Sequence, residues 1–92
     1  METINLQNDL NFSFEKLPDT IRLIISKNNE EWACRKEKLK NLISFLEADE
    51  MHIFKGRLQL FKSGNKIDIQ VKNKKISSIS TETFQQALDK LK

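Results

Sequence analysis

Two alternating segments joined by a turn sequence constrain this chain more than any other feature. Leucines alternate with other side chains in residues 57–61, and isoleucines and a valine alternate with polar residues in 67–72. The intervening Ser63-Gly64-Asn65 contains two residue types that readily adopt a positive φ. A period of two matches the alternating faces of a strand, so the sequence predicts an antiparallel hairpin. Its buried face would carry Leu58, Leu60, Ile67, Ile69 and Val71.

Three more segments carry clear periodicity. Leu10, Phe12 and Phe14 alternate with polar residues, which predicts an N-terminal strand. After a turn at 73–75, residues 76–79 are expected to form a third strand of the meander. Ser80 or Thr81 would then cap a terminal helix, in which phenylalanine and leucine recur at helical spacing at positions 84, 88 and 91.

The segment 18–27 fits two structures. Pro18 and Asp19 suit the first turn of a helix, and apolar residues at 17, 21, 24 and 25 share a helical face. Ile21, Leu23 and Ile25 also alternate as a strand would. We favour a helix, because Pro-Asp is a good opening and the helical face uses one more apolar residue than the strand. The helix could continue into the next as one bent helix, but we expect a break at Asn28-Asn29, since this pair can close one helix and cap the next.

A second, longer helix is expected over residues 30–47. Trp32, Leu39, Leu42, Ile43 and Leu46 fall on one face at 100° per residue. This phase leaves Cys34, Asn41 and Phe45 near the opposite side, where Phe45 would be exposed. A neighbouring element could cover Phe45, or the helical phase could differ. The third interpretation is a protein interface, formed by a partner or a second copy on Cys34, Asn41 and Phe45.

These elements predict an α+β fold: a small, mostly antiparallel sheet packed against a long central helix and a C-terminal helix. The N-terminal strand and the three-stranded meander would form the sheet. The 92 residues fit a single domain spanning 1–92, and no internal repeat is visible.

The scarcity of chemically specialised residues argues against an enzyme. The single cysteine (Cys34) and single histidine (His52) cannot build a multi-ligand metal site, and two glycines cannot build a phosphate-binding loop. A Cys–His catalytic pair is the remaining alternative. We therefore expect no catalytic residues, cofactor or metal. The lone cysteine, the lack of a signal-peptide pattern and the short apolar runs favour a cytoplasmic protein with no membrane anchor.

Positive charge is concentrated in the second half of the chain. Residues 51–79 contain seven basic residues and one acidic residue, a net charge of +6. The hairpin over 55–75 is therefore a candidate nucleic-acid contact, in which cations hold phosphates and Phe61 stacks a base. A lysine-rich face that protects strand edges explains the same residues. The candidate contacts are Arg57, Gln59, Phe61, Lys66, Gln70, Lys72, Lys74 and Lys75.

The leading functional hypothesis is a small, non-enzymatic protein-binding or accessory module. Its expected partner is another protein or a second copy of the chain. Nucleic-acid binding through the basic hairpin is the alternative hypothesis, and an enzyme with an unfamiliar site is a distant third.

Overall fold

Two antiparallel sheets make up most of the chain in the computed structural model, which describes residues 1–91. Within each sheet, the four strands pair in chain order. The first sheet leads into helix α1 (Leu39–Glu47) and contains β1 (Glu2–Asn5), β2 (Leu10–Lys16), β3 (Ile21–Lys27) and β4 (Glu30–Glu37). The second leads into helix α2 (Thr81–Leu91) and contains β5 (Glu50–Ile53), β6 (Leu58–Ser63), β7 (Lys66–Val71) and β8 (Lys74–Ser80).

The predicted fold class, a single sheet on a long central helix, is wrong. The chain has two four-stranded sheets, and α1 is only nine residues long. The segment 18–27, for which we favoured a helix, contains β3, and the first half of the expected long helix is β4. Of the alternatives at 18–27, the alternation of Ile21, Leu23 and Ile25 was the correct indicator, since all three are buried.

A turn and a bulge explain why β3 and β4 resembled helices. Asn28 and Asn29 have φ values of 52° and 67°. Two consecutive positive values are typical of a two-residue hairpin turn, so the asparagines join strands and cap no helix. In the ladder that follows, Ile25 pairs with Ala33 whereas Ser26 pairs with Glu31. Trp32 is the extra residue of a β-bulge, which breaks the period of two that would have identified the strand.

Apart from the turn expected at 73–75, which lies at 72–73 because Lys74 and Lys75 already pair within β8, the other predicted elements agree with the structure. The hairpin is β6 and β7, and its turn contains Gly64 with a φ of 60°. The expected strands at 10–14 and 76–79 lie within β2 and β8. The Ser80 hydroxyl accepts a hydrogen bond from the backbone N–H of Thr83 at 3.0 Å, which caps α2.

The two halves of the chain repeat one architecture, four strands followed by a helix, although no repeat is visible in the sequence. The hairpin of β7 and β8 turns at Lys72 and Asn73, with φ values of 53° and 67°. Ile69 then pairs with Ser77 whereas Gln70 pairs with Lys75, so Ile76 is the extra residue of a second bulge. Trp32 and Ile76 therefore occupy the same place, three residues after the turn, in equivalent hairpins.

One hydrophobic core joins both sheets and both helices. Phe12 and Phe14 from β2, Phe45 from α1 and Phe84 from α2 are all fully buried. The Phe84 ring is 5.1 Å from that of Phe14 and 5.9 Å from that of Phe45, in edge-to-face arrangements. Aromatic pairs of this kind add to the burial free energy, so Phe84 links the two halves of the chain.

Candidate functional site

The basic residues of the second sheet divide into groups with different surroundings. Lys66 and Lys75 flank Asp68, with nitrogen to carboxylate distances of 3.6 and 3.5 Å. Lys62 points into the protein, where it is 7% exposed, and its ammonium donates a hydrogen bond to the carbonyl of Ala48 at the end of α1. A cation suits the negative end of a helix, so Lys62 has a structural explanation.

Three other cations surround a surface depression of about 420 Å³. Arg57, Lys72 and Lys74 are exposed and form no ion pair within residues 1–91. We call this depression the Trp32 site; it is lined by Glu30, Glu31, Trp32, Arg57, Val71, Lys72, Lys74 and Ile76.

The two bulges create the apolar part of the Trp32 site. Trp32 and Ile76 are half-buried and pack against the edge of the core. Val71, at the end of β7, lies between the cationic residues in the second sheet, because it pairs with Leu58 on one side and Lys74 on the other. The first half of the chain thus supplies the indole and the second half supplies the aliphatic side chains.

Backbone and side-chain hydrogen bonds fix the cationic side of the Trp32 site. The backbone N–H of Lys72 donates to the carbonyl of Arg57 at 2.9 Å. The Gln59 amide nitrogen bridges the Gly56 carbonyl at 3.1 Å and the Asn73 side-chain oxygen at 3.4 Å. The backbones that carry Arg57 and Lys72 are therefore held next to each other before any ligand arrives.

The acidic side of the Trp32 site is partly neutralised. Arg22 contacts the Glu31 carboxylate at 2.6 Å and the Glu15 carboxylate at 3.5 Å. Its guanidinium also donates to the Cys34 sulfur at 3.7 Å. Cys34 contributes most to raising the pKa of Arg22, desolvation opposes this, and both carboxylates raise it further. Arg22 therefore stays charged and offsets Glu31, which leaves cations in excess around the depression.

A cation from the first half of the chain lies over the indole of Trp32. The Lys27 ammonium lies 5.7 Å from the centre of the Trp32 ring. Cation–π contacts of this length stabilise an exposed indole by about 0.5–1 kcal/mol. Lys27 thereby restricts the ring orientation in the Trp32 site.

A second surface lies on the outer face of the second sheet. The His52 and Phe61 rings stack with centroids 4.0 Å apart and an angle of 14° between their planes. His52 Nε2 is 3.1 Å from the Gln59 side-chain oxygen. Asp68 pairs directly with Phe61 across the ladder, so a carboxylate lies beside the aromatic pair.

The predicted nucleic-acid contacts are consequently split. Gln59, Phe61, Lys66, Gln70 and Lys75 belong to the outer face, as expected of alternate positions on paired strands. Arg57, Lys72 and Lys74 line the Trp32 site.

The structure does not bring together the predicted protein interface. Of the three explanations offered for Phe45, cover by a neighbouring element or a different helical phase agrees with the structure, because its side chain is fully buried. Cys34 is exposed on β4, beside Arg22, and is not on a helix. Asn41 is exposed on α1 and donates to the Glu37 carboxylate at 2.8 Å. The three residues shared a face only under the assumption of one helix from residue 30 to residue 47.

Sequence reasoning missed the apolar part of the Trp32 site. Trp32 was expected to anchor the core with the leucines of a helix, and Ile76 and Val71 were expected to be strand residues only. The one available signal was the cluster of basic residues around the turn after Val71. The bulges that bring Trp32 and Ile76 to one depression depend on strand pairing, which a sequence pattern does not show.

Within residues 1–91, no helix is long and apolar enough to cross a membrane. Comparisons of the chain with protein-family models, curated proteins and solved structures find no match.

Proposed function

We propose that this protein is a small, non-enzymatic binding module that contacts another protein through the Trp32 site. The observation that carries the proposal is a half-buried tryptophan beside the half-buried Ile76, surrounded by three cations that form no ion pair within residues 1–91. Tryptophan and arginine are among the residue types most enriched at interface positions where substitution by alanine causes the largest loss of binding free energy. Unpaired cations on one rim would also accelerate encounter with an oppositely charged partner.

Two features favour a protein over a nucleic acid at the Trp32 site. Trp32 and Ile76 are half-buried and provide apolar surface, which suits an apolar side chain better than a charged backbone. Glu30 and Glu31 line the same depression as the three cations, so the surface carries charges of both signs. A mixed apolar and charged surface is typical of protein interfaces.

The compartment and the partner class are part of this proposal. Cys34 is an exposed free thiol, and free thiols persist in reducing compartments, so we place the protein in the cytoplasm. A second copy of the chain is one possible partner. Size-exclusion chromatography with light scattering, repeated with Trp32→Ala, would detect a homodimer that uses the Trp32 site.

The proposal is tested by affinity capture from nuclease-treated lysate of the source organism. A protein that binds through the Trp32 site should be captured by the wild type and not by the Trp32→Ala variant. After purification, the captured protein should still bind the wild type. The expected loss of affinity is about 30-fold or more, corresponding to a hot-spot residue. Met51→Ala is the control, because Met51 is an exposed apolar residue of the other sheet edge.

Because Trp32 also packs against the core, a second variant separates binding from folding. The double variant Lys72→Glu/Lys74→Glu changes only exposed side chains and should weaken binding of the same purified partner. Circular dichroism spectra of all variants should match the wild type. If neither variant weakens the captured partner, the Trp32 site is not the binding surface and the proposal fails.

Single-stranded nucleic-acid binding by the outer face of the second sheet is a second candidate function. The stack of His52 on Phe61 favours it, because it adds a second ring to the single aromatic expected from the sequence. Affinity for an oligothymidylate should then fall with salt by about 0.7 log units per contacted phosphate for each log unit of salt. Phe61→Ala should weaken binding, whereas Met51→Ala should not. Equal affinity for both variants would dismiss this candidate.

A further inference from the structure

Arg57, Lys72 and Lys74 form no ion pair within residues 1–91, unlike the lysines around Asp68 on the outer face of the same sheet. Lys66 and Lys75 share Asp68, and Lys62 binds a helix-end carbonyl. Arg57 and Lys72 have no such neutralising group within residues 1–91, and neither has Lys74. These three cations are available for charges that come from outside the chain.

The acidic groups at the Trp32 site do not cancel those cations. Glu31 is engaged by Arg22 at 2.6 Å, which leaves Glu30 as the one carboxylate of the lining without an ion pair. Three cations on the rim therefore face one uncompensated carboxylate. The local field is positive, and it surrounds apolar surface contributed by Trp32 and Ile76.

From this arrangement, and building on the proposed function, we infer that the partner presents an acidic segment with an apolar anchor residue. The apolar side chain would pack on Trp32 between the two bulges. Carboxylates next to the anchor would approach Arg57, Lys72 and Lys74. Arginine holds a carboxylate through two parallel hydrogen bonds, whereas each lysine acts as a point charge, so Arg57 would fix the register of the segment.

Preorganisation supports this inference. Arg57 and Lys72 are joined through the backbone, and the Lys27 ammonium restricts the Trp32 ring. A site whose groups are already positioned loses less conformational entropy when a ligand binds. The conformational entropy lost on binding is therefore mainly that of the acidic segment.

Trp32 provides a direct readout, because it is the only tryptophan in the chain. The probe is a synthetic octapeptide with two central leucines flanked on each side by three glutamates. We expect it to change the fluorescence of the full-length protein in a saturable way. A peptide with glutamines in place of the glutamates should bind at least about tenfold more weakly, as should one with serines in place of the leucines.

A matched pair of double variants tests which cations are used. Lys72→Gln/Lys74→Gln removes two charges from the Trp32 site, and Lys66→Gln/Lys75→Gln removes two from the outer face of the same sheet. The first should weaken binding of the acidic peptide by about fivefold, since two exposed ion pairs of about 0.5 kcal/mol each correspond to that change. The second double variant should bind the acidic peptide with an affinity within about twofold of the wild-type value.

Three outcomes would overturn the inference. The glutamine peptide could bind as tightly as the glutamate peptide, or both double variants could behave alike. An octathymidylate could instead be the only probe that responds to loss of Lys72 and Lys74, which would make the ligand a nucleic acid.

The proposed function is judged separately, by the captured partner. If Trp32→Ala abolishes capture but the acidic peptide does not bind, the site binds a protein and only the acidic chemistry is wrong. If the captured partner is insensitive to both Trp32→Ala and Lys72→Glu/Lys74→Glu, the proposed function itself fails.

Discussion

The orientation of α1 can be tested by comparing two of its apolar residues, Phe45 and Ile43. The helical phase expected from the sequence turned Ile43 inward and Phe45 outward. In the structure, Phe45 is fully buried, whereas Ile43 is only half-buried and is not among the side chains packed against the core. Substitution of each by alanine therefore has opposite consequences under the two orientations.

The structure sets the expected magnitudes. Phe45→Ala should lower the free energy of unfolding by about 3–5 kcal/mol, because it leaves a cavity beside Phe84. Ile43→Ala should lower it by only about 1 kcal/mol, since Ile43 is half-buried outside the core and alanine is the better helix former. For a domain of this size, about 4 kcal/mol corresponds to a Tm lower by roughly 16–32 °C.

Urea unfolding followed by far-UV circular dichroism measures both changes. A domain of 92 residues is expected to have about 5–14 kcal/mol of total stability, so Phe45→Ala is expected to be severely destabilised. Phe45→Leu, with an expected cost of about 1.5 kcal/mol, keeps the test measurable if the alanine variant does not fold. The reasoning is refuted if Ile43→Ala costs as much as, or more than, substitution of Phe45.

Three further substitutions test local features by the same unfolding measurement. Ser80→Ala removes the hydroxyl that accepts from the Thr83 N–H and should lower the free energy of unfolding by about 1 kcal/mol. Gly64→Ala should cost about 1 kcal/mol because φ is 60°, although no described residue other than its chain neighbours comes within 4 Å of the new Cβ. Lys62→Ala should cost about 2–3 kcal/mol, since it leaves the Ala48 carbonyl without its donor and opens a cavity. A change within about 0.5 kcal/mol, as at ordinary surface positions, would contradict the stated role of each residue.

The parts of the fold that the sequence predicted are those in which local signals agree. In β6 and β7, side-chain alternation and the turn at Gly64 both indicate a hairpin. In α2, the Ser80 cap precedes helically spaced Phe84 and Leu88, both of which are fully buried. Agreement between pattern and turn chemistry leaves no competing structure for these segments.

The secondary-structure predictions fail where one local sequence signal is compatible with two structures. Asn28-Asn29 suits a helix boundary as well as a tight hairpin, and only the pairing of β3 with β4 selects the hairpin. The bulge at Trp32 then shifts the side-chain pattern, so that Trp32 happened to match the spacing of the leucines in α1. The short edge strands β1 and β5 were missed, because strands of four residues carry too little periodicity to identify.

The candidate site was only partly predictable for a related reason. A net charge over 51–79 is a property of the sequence, but the face on which each cation lies depends on strand register. Lys62 turns inward between its neighbours, and Asp68 collects Lys66 and Lys75 on the outer face. The net charge of residues 51–79 therefore overestimates the number of cations available on the surface of the hairpin.

The repeated architecture explains why the Trp32 site requires the whole chain. Trp32 and Ile76 are equivalent bulge residues, yet one is aromatic and the other aliphatic. The turn residues differ as well, because Asn28 in the first hairpin corresponds to the cationic Lys72 in the second. Backbone geometry is thus shared while side-chain chemistry has diverged. The first half supplies the indole and the second supplies the cations, so neither half alone contains the proposed binding surface.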